Sequence, residues 1–107
     1  MSVFLHPADG IRLEQPDEPV EMRNGLRDAL LEGADWREGF SSDICIGVFL
    51  WERWRPALEP VGMDRESFVD VVIGCGRELW LWLMGERPWD QFVAGLAGRV
   101  SRRLPGR

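Results

Sequence analysis

Residues 64–84 read DRESFVDVVIGCGRELWLWLM, and the fold class turns on how this stretch is folded. At helical spacing Phe68, Val71, Val72, Cys75, Leu79, Trp82 and Leu83 form one stripe. Val69, Ile73, Trp80 and Met84 add a second apolar flank, so well over half the circumference is apolar. Asp64 offers a carboxylate to the free amides of a first turn. The pattern predicts one central helix from Asp64 to about Met84, with neighbours on two sides. Gly74 and Gly76 each cost such a helix about 1 kcal/mol relative to alanine. Close approach of a neighbouring backbone would offset that cost.

Downstream, Gly85-Glu-Arg-Pro88 reads as a turn into a proline-started helix, with Trp89, Phe92, Val93, Leu96, Val100 and Leu104 on one narrow stripe. Pro105-Gly106-Arg107 reads as a frayed end. Upstream, a helix is expected from about Ser42 to Trp54 or Arg55. Ile46, Leu50, Trp54 and Ala57 lie on one line, Gly47, Trp51 and Leu58 beside it, and Cys45 and Phe49 opposite. Ile44, Ile46, Val48 and Phe49 also suit a strand, so residues 44–50 stay open between the two. Pro56 and Pro60 end or kink this element.

Another helix is expected from Pro19, with Met22, Leu26, Ala29 and Leu30 on its apolar face and Gly33 as its stop. Residues 34–40 then form a loop, with Trp36 and Phe40 as plugs onto the core. At the start, Val3-Phe-Leu5 and Ile11-Arg-Leu13 flank a five-residue loop ending Asp9-Gly10, a hairpin signal. The expectation is a mainly α fold: a small bundle or orthogonal array of about four helices with a short N-terminal hairpin or extended arm. It forms a single domain over residues 1–107, with 1–18 as the arm and 19–104 as the helical core.

Composition narrows the chemistry. The chain has 107 residues and a formal charge of −5. All 13 basic residues are arginine; lysine, threonine and tyrosine are absent, histidine occurs once and cysteine twice. Without lysine there is no Schiff-base or P-loop lysine chemistry. One histidine excludes HExxH zinc sites. Two cysteines cannot make a four-thiolate cluster within one chain. His6, Cys45 and Cys75 lie on three distant segments with no paired ligand spacing, so no metal or cofactor is expected. No basic-then-apolar leader opens the sequence, and no stretch reaches the roughly 20 apolar residues of a membrane span. A cytoplasmic protein with reduced cysteines is the expectation.

Three constellations stand out. Trp51-Glu-Arg-Trp-Arg55, together with Trp80 and Trp82, pairs indoles with guanidinium groups, the residue types enriched at interface hot spots. The same indoles also serve to fill a small core. Second, residues 85–107 carry five arginines against two acids, +3, so with −5 for the whole chain the first 84 residues carry −8. Arg99, Arg102 and Arg103 share one side of the last helix, where they suit either phosphate contact or the helix dipole. Third, Asp70, Glu78 and Glu52 stand within apolar helices, where a desolvated carboxylate can serve as an acid or base.

The leading expectation is a non-enzymatic protein that binds another protein, or itself, through Trp51, Trp54 and Arg55 or through the last helix at Trp89 and Arg99. The alternative is a nucleic-acid-associated regulator using Arg99, Arg102 and Arg103. The third is a small-ligand carrier or enzyme with Asp70, Arg77 or Glu78 in an internal cleft.

Overall fold

The computed structural model describes residues 4–8, 11–33 and 42–104. They form a mainly α fold: the strands β1 (Phe4–Ala8) and β2 (Ile11–Glu14), then α1 (Val20–Leu31), α2 (Ser42–Leu58), a 3₁₀ turn (Glu59–Val61), α3 (Arg65–Ile73), α4 (Gly76–Leu83) and α5 (Trp89–Arg102). The expected loop at 34–40 with Trp36 and Phe40, the turn residues Asp9 and Gly10, and the tail 105–107 lie outside the described residues.

The N-terminal arm is an antiparallel hairpin, with Leu5 opposite Leu13 and Ala8 opposite Ile11. β1 runs further than expected, through His6 and Pro7 to Ala8. The register spends one extra residue on β1 between Leu5 and Ala8, a bulge that tolerates a proline with no amide to give the ladder. Along β2 the alternation is strict: Ile11 and Leu13 are buried, Arg12 and Glu14 exposed. The hairpin lies across α2 and α5.

α1 begins one residue later than expected. Pro19 caps it, and its carbonyl accepts from the Arg23 amide at 2.9 Å. The left-handed Gly33 (φ 91°) follows its end, where a residue with a Cβ would be strained. α2 is helical throughout, so residues 44–50 are not a strand. Pro56 does not end it. The proline is exposed in the last turn, so it removes one hydrogen bond near the terminus and buries no unpaired carbonyl. The 3₁₀ turn containing Pro60 and the left-handed Gly62 (φ 92°) ends the rod instead.

The expected single helix at 64–84 is two helices. The Gly74 amide still reaches the Asp70 carbonyl (3.1 Å), but the Cys75 amide turns back to Val72 (3.0 Å), which tightens the chain and redirects it. The two halves then serve different neighbours: α3 packs on α2 and α5, α4 on α1 and α5. At Gly74 an added Cβ would meet only the Val71 and Asp70 carbonyls of the preceding turn, and at Gly76 nothing within 4 Å, so no other element's backbone packs against either. The close approach lies at Gly47 on α2, where an added Cβ would meet Val69 Cγ2 at 3.3 Å.

Between these helices sit two aromatic groups. Trp51 and Trp54 of α2 pack on Phe68 of α3 at centroid distances of 5.6 and 5.9 Å. Trp82 of α4 lies 4.8 Å from Trp89 and 6.0 Å from Phe92 of α5. Each of three indoles donates its one N–H to the segment joining β2 to α1. Trp54 donates to the Glu14 carbonyl (2.8 Å), Trp89 to the Pro16 carbonyl (2.7 Å) and Trp82 to the Glu18 carboxylate (3.0 Å). Residues 14–18 are thus a strap held by α2, α5 and α4. Glu18 is also 3.5 Å from the Arg23 guanidinium.

Trp89→Phe removes the shorter of two donors to the buried Pro16 carbonyl, leaving it the Gln15 side-chain amide at 3.4 Å, at an expected cost of about 0.5–1.5 kcal/mol. Urea unfolding measures it, and an unchanged midpoint would show that the bond does not hold the strap. Conversely, Gly25 lies inside α1 with nothing within 4 Å of its Cβ position. Gly25→Ala should stabilise the chain by about 0.4–1 kcal/mol, read as a raised Tm.

Candidate functional site

The distribution of the tryptophans corrects the expected Trp/Arg face. Trp51, Trp54 and Trp89 are 4%, 1% and 7% exposed, and Trp82 is fully buried. Their indoles fill the core and are pointed at the strap or at Phe68. Among the described tryptophans Trp80 alone is substantially exposed, at 40%. Arg55 is exposed and pairs with Glu59 one turn on, at 3.0 Å. Arg53, rather than Arg55, makes the cation–π contact on α2, over the Phe49 ring at 3.5 Å.

The basic side of α5 is largely engaged within the chain. Arg99 reaches the Glu78 carboxylate at 3.0 Å and the Gly74 carbonyl at 3.5 Å; Arg103 reaches Asp70 at 3.4 Å. Arg102 makes no ion pair among the described residues. The three arginines line an open hollow of about 240 Å³ beside Asp70 and Gly74, at the carbonyl end of α3. Two guanidinium groups facing carboxylates and a helix C-terminus form a cation-stabilised joint between α5 and the α3–α4 break. Phosphate would compete there with carboxylates already in place.

The residues named for an internal cleft stand at or near the surface. Asp70 and Arg77 are exposed and Glu78 is half-buried, and the first and last of these are held at the surface by arginines. Glu52 is exposed as well. His6 has its backbone in β1, and its side chain lies outside the described residues. Among the described residues no His, Cys, Asp and Glu side chains converge as a metal-binding group. Cys75 is buried and Cys45 half-buried, and both are free thiols. Burial pushes both thiols above their ordinary range; Asp43 adds to this at Cys45, while Arg99 opposes it at Cys75. Neither is poised as a nucleophile. No helix among the described residues is long and apolar enough to cross a membrane.

The surface feature that spacing alone did not single out is a groove between α2 and α3. Ile44 and Val48 of α2 and Val69 and Ile73 of α3 line it, with Asp64, Arg65, Glu66 and Asp70 at its margin. Its volume is about 690 Å³. Ile44 is 47% and Ile73 45% exposed. At its centre Gly47 lets α3 approach α2 closely, with a would-be Cβ only 3.3 Å from Val69 Cγ2. The next β-branched side chains on either side are then left as two parallel rims. Val69 and Ile73 were visible as a second apolar flank of 64–84; that no other described element covers them was not.

Asp64 terminates α3 at the mouth of this groove. The Ser67 amide donates to its carboxylate at 2.8 Å, and that bond holds the carboxyl below its ordinary range.

A comparison with protein-family models, a search of curated proteins and a search of solved structures each found nothing that matches this chain.

The Asp64 carboxyl titrates lower in the folded chain than in the unfolded one. Its contribution to stability is therefore complete above the unfolded value and fades as pH falls through the folded one. Asp64→Asn keeps a capping oxygen but removes the proton linkage. Its stability should fall less steeply on acidification than that of the wild type, in urea titrations from neutral to acid pH; parallel profiles would show that the carboxylate is not the cap.

Proposed function

We propose that this chain is a non-enzymatic binding protein that acts by docking another protein on the α2–α3 groove. One observation carries the reading: an aliphatic trough built by two helices, with Ile44 and Ile73 each nearly half exposed on its rims. A third helix laid in such a trough would bury those side chains against a surface with the spacing of a helix–helix contact. Exposed aliphatic groups gathered in one place differ from apolar residues scattered singly over a surface. The rest of the chain supports binding over catalysis. Asp70 and Glu78 are held in ion pairs at the surface, Glu52 is exposed, the thiols are shielded, and there is no lysine. Relative to the sequence expectation, the docking face moves from Trp51, Trp54 and Trp89, which are core, to the aliphatic edges of the two helices.

Ile73→Glu tests it. The position is open enough that stability should stay within about 0.5 kcal/mol of the wild type. Proteins retained from a cell extract by the immobilised wild-type chain should be lost on the variant and kept on an Arg77→Glu control. Equal retention on all three would remove the groove from the interaction. Self-association is read separately, by light scattering across a concentration series; a dimer that Ile73→Glu dissolves would make the docked protein a second copy.

A further inference from the structure

Resting on the reading of the groove as a docking face, we infer that its occupant is a basic amphipathic helix: aliphatic on one side, with lysine or arginine flanking that side. The aliphatic lining from Val48, Val69 and Ile73 selects a helix over an extended strand, because it runs along two packed helices and offers no free sheet edge. The flanking charge follows from the margin. Three of the four ionisable groups that line it are carboxylates, Asp64, Glu66 and Asp70, against Arg65. Asp70 is shared with Arg103 across an exposed 3.4 Å pair; Asp64 and Glu66 make no ion pair among the described residues. Asp64 is held ionised by its bond to Ser67. The chain as a whole carries a net −5, which favours the approach of a cationic partner over an acidic one. The basic side of this chain's own α5 does not supply the occupant, because its apolar stripe is buried in the core and Arg99 and Arg103 are engaged.

The test uses two synthetic helical peptides of about four turns, one of leucine and lysine and one of leucine and glutamate, each with leucine confined to one face. Methyl spectra of the full chain are recorded during titration with each. The leucine–lysine peptide should shift the Val48, Val69 and Ile73 methyls and bind at least about tenfold more tightly than its acidic counterpart at low salt. The margin should shrink as salt is added. Glu66→Gln should lower that discrimination without lowering Tm, and Ile73→Glu should abolish the methyl shifts for both peptides. If both peptides perturb the groove equally, it docks helices without charge preference, and the inference falls while the docking reading stands. If neither perturbs it, both fall. A groove already filled is also an overturning result. It would show as concentration-dependent methyl shifts from a second copy, or as contacts from the Trp36 or Phe40 rings to the Ile73 methyls.

Discussion

The bundle depends on three donors that meet one short strap. An indole N–H can only donate, and it is costly to bury without an acceptor. Trp54, Trp82 and Trp89 stand 40, 64 and 73 residues from their acceptors in the chain, yet all three converge on residues 14–18. The strap is suited to receive them. Pro16 has no amide of its own, so its backbone brings an acceptor without a competing donor into the core. Each indole also buries roughly 150–250 Å² of ring. The hydrophobic gain that drives α2, α4 and α5 together is thus tied to hydrogen bonds that fix where each helix stops. The hairpin gains its place from the same arrangement: β2 runs directly into the strap, and Leu13 and Ile11 enter the core just ahead of the bond at Glu14.

Helices were legible wherever an apolar stripe was narrow. The α5 stripe from Trp89 to Leu104 is buried residue for residue, because a narrow stripe has one solution: face the core. The broad stripe at 64–84 had two solutions, a straight helix with neighbours on both sides or a bend giving each half its own. Two glycines cost a helix about 2 kcal/mol together, too little to decide between them. Tertiary packing decides. Phe68 packs on Trp51 and Trp54 of α2, while Trp82 donates to the strap and α4 packs on α1 and α5, so each half serves its own neighbours. The bend at Gly74 and Cys75 also creates a helix end whose carbonyls need cations nearby. Arg99 fills that need at Gly74. The basic last turn of α5, which read in sequence as a dipole effect on its own helix or a phosphate contact, serves the end of another helix.

The candidate site was less legible than the fold, for a definable reason. Six tryptophans in 107 residues look like more than one small core can hide, and the count alone favours an exposed aromatic face. What a sequence does not display is where backbone acceptors will lie. Once the strap supplies acceptors for Trp54, Trp82 and Trp89, and Phe68 supplies a ring for Trp51, the aromatic surplus is absorbed. Exposure passes instead to β-branched aliphatics that looked like ordinary core: Ile44 with its strand propensity, Ile73 on the second flank. Their visibility in sequence was complete; their exposure depends on how closely α3 meets α2, and at Gly47 a Cβ would already press on Val69 at 3.3 Å.

Charge and groove then belong to one account. Surface ion pairs such as Arg103–Asp70 contribute about 0–1 kcal/mol each, so they do not explain why arginine is concentrated in the last helix. Arg99 pairs with Glu78 and Arg103 with Asp70, which itself stands on the groove margin, so Asp64 and Glu66 are the margin carboxylates without an ion pair among the described residues. A uniformly mixed surface would present the trough with no preferred partner charge. With Arg99 and Arg103 engaged by Glu78 and Asp70, Asp64 and Glu66 border exposed aliphatic groups. Those are the two ingredients, an apolar floor and an uncompensated rim, by which a helical groove discriminates among partners of similar shape.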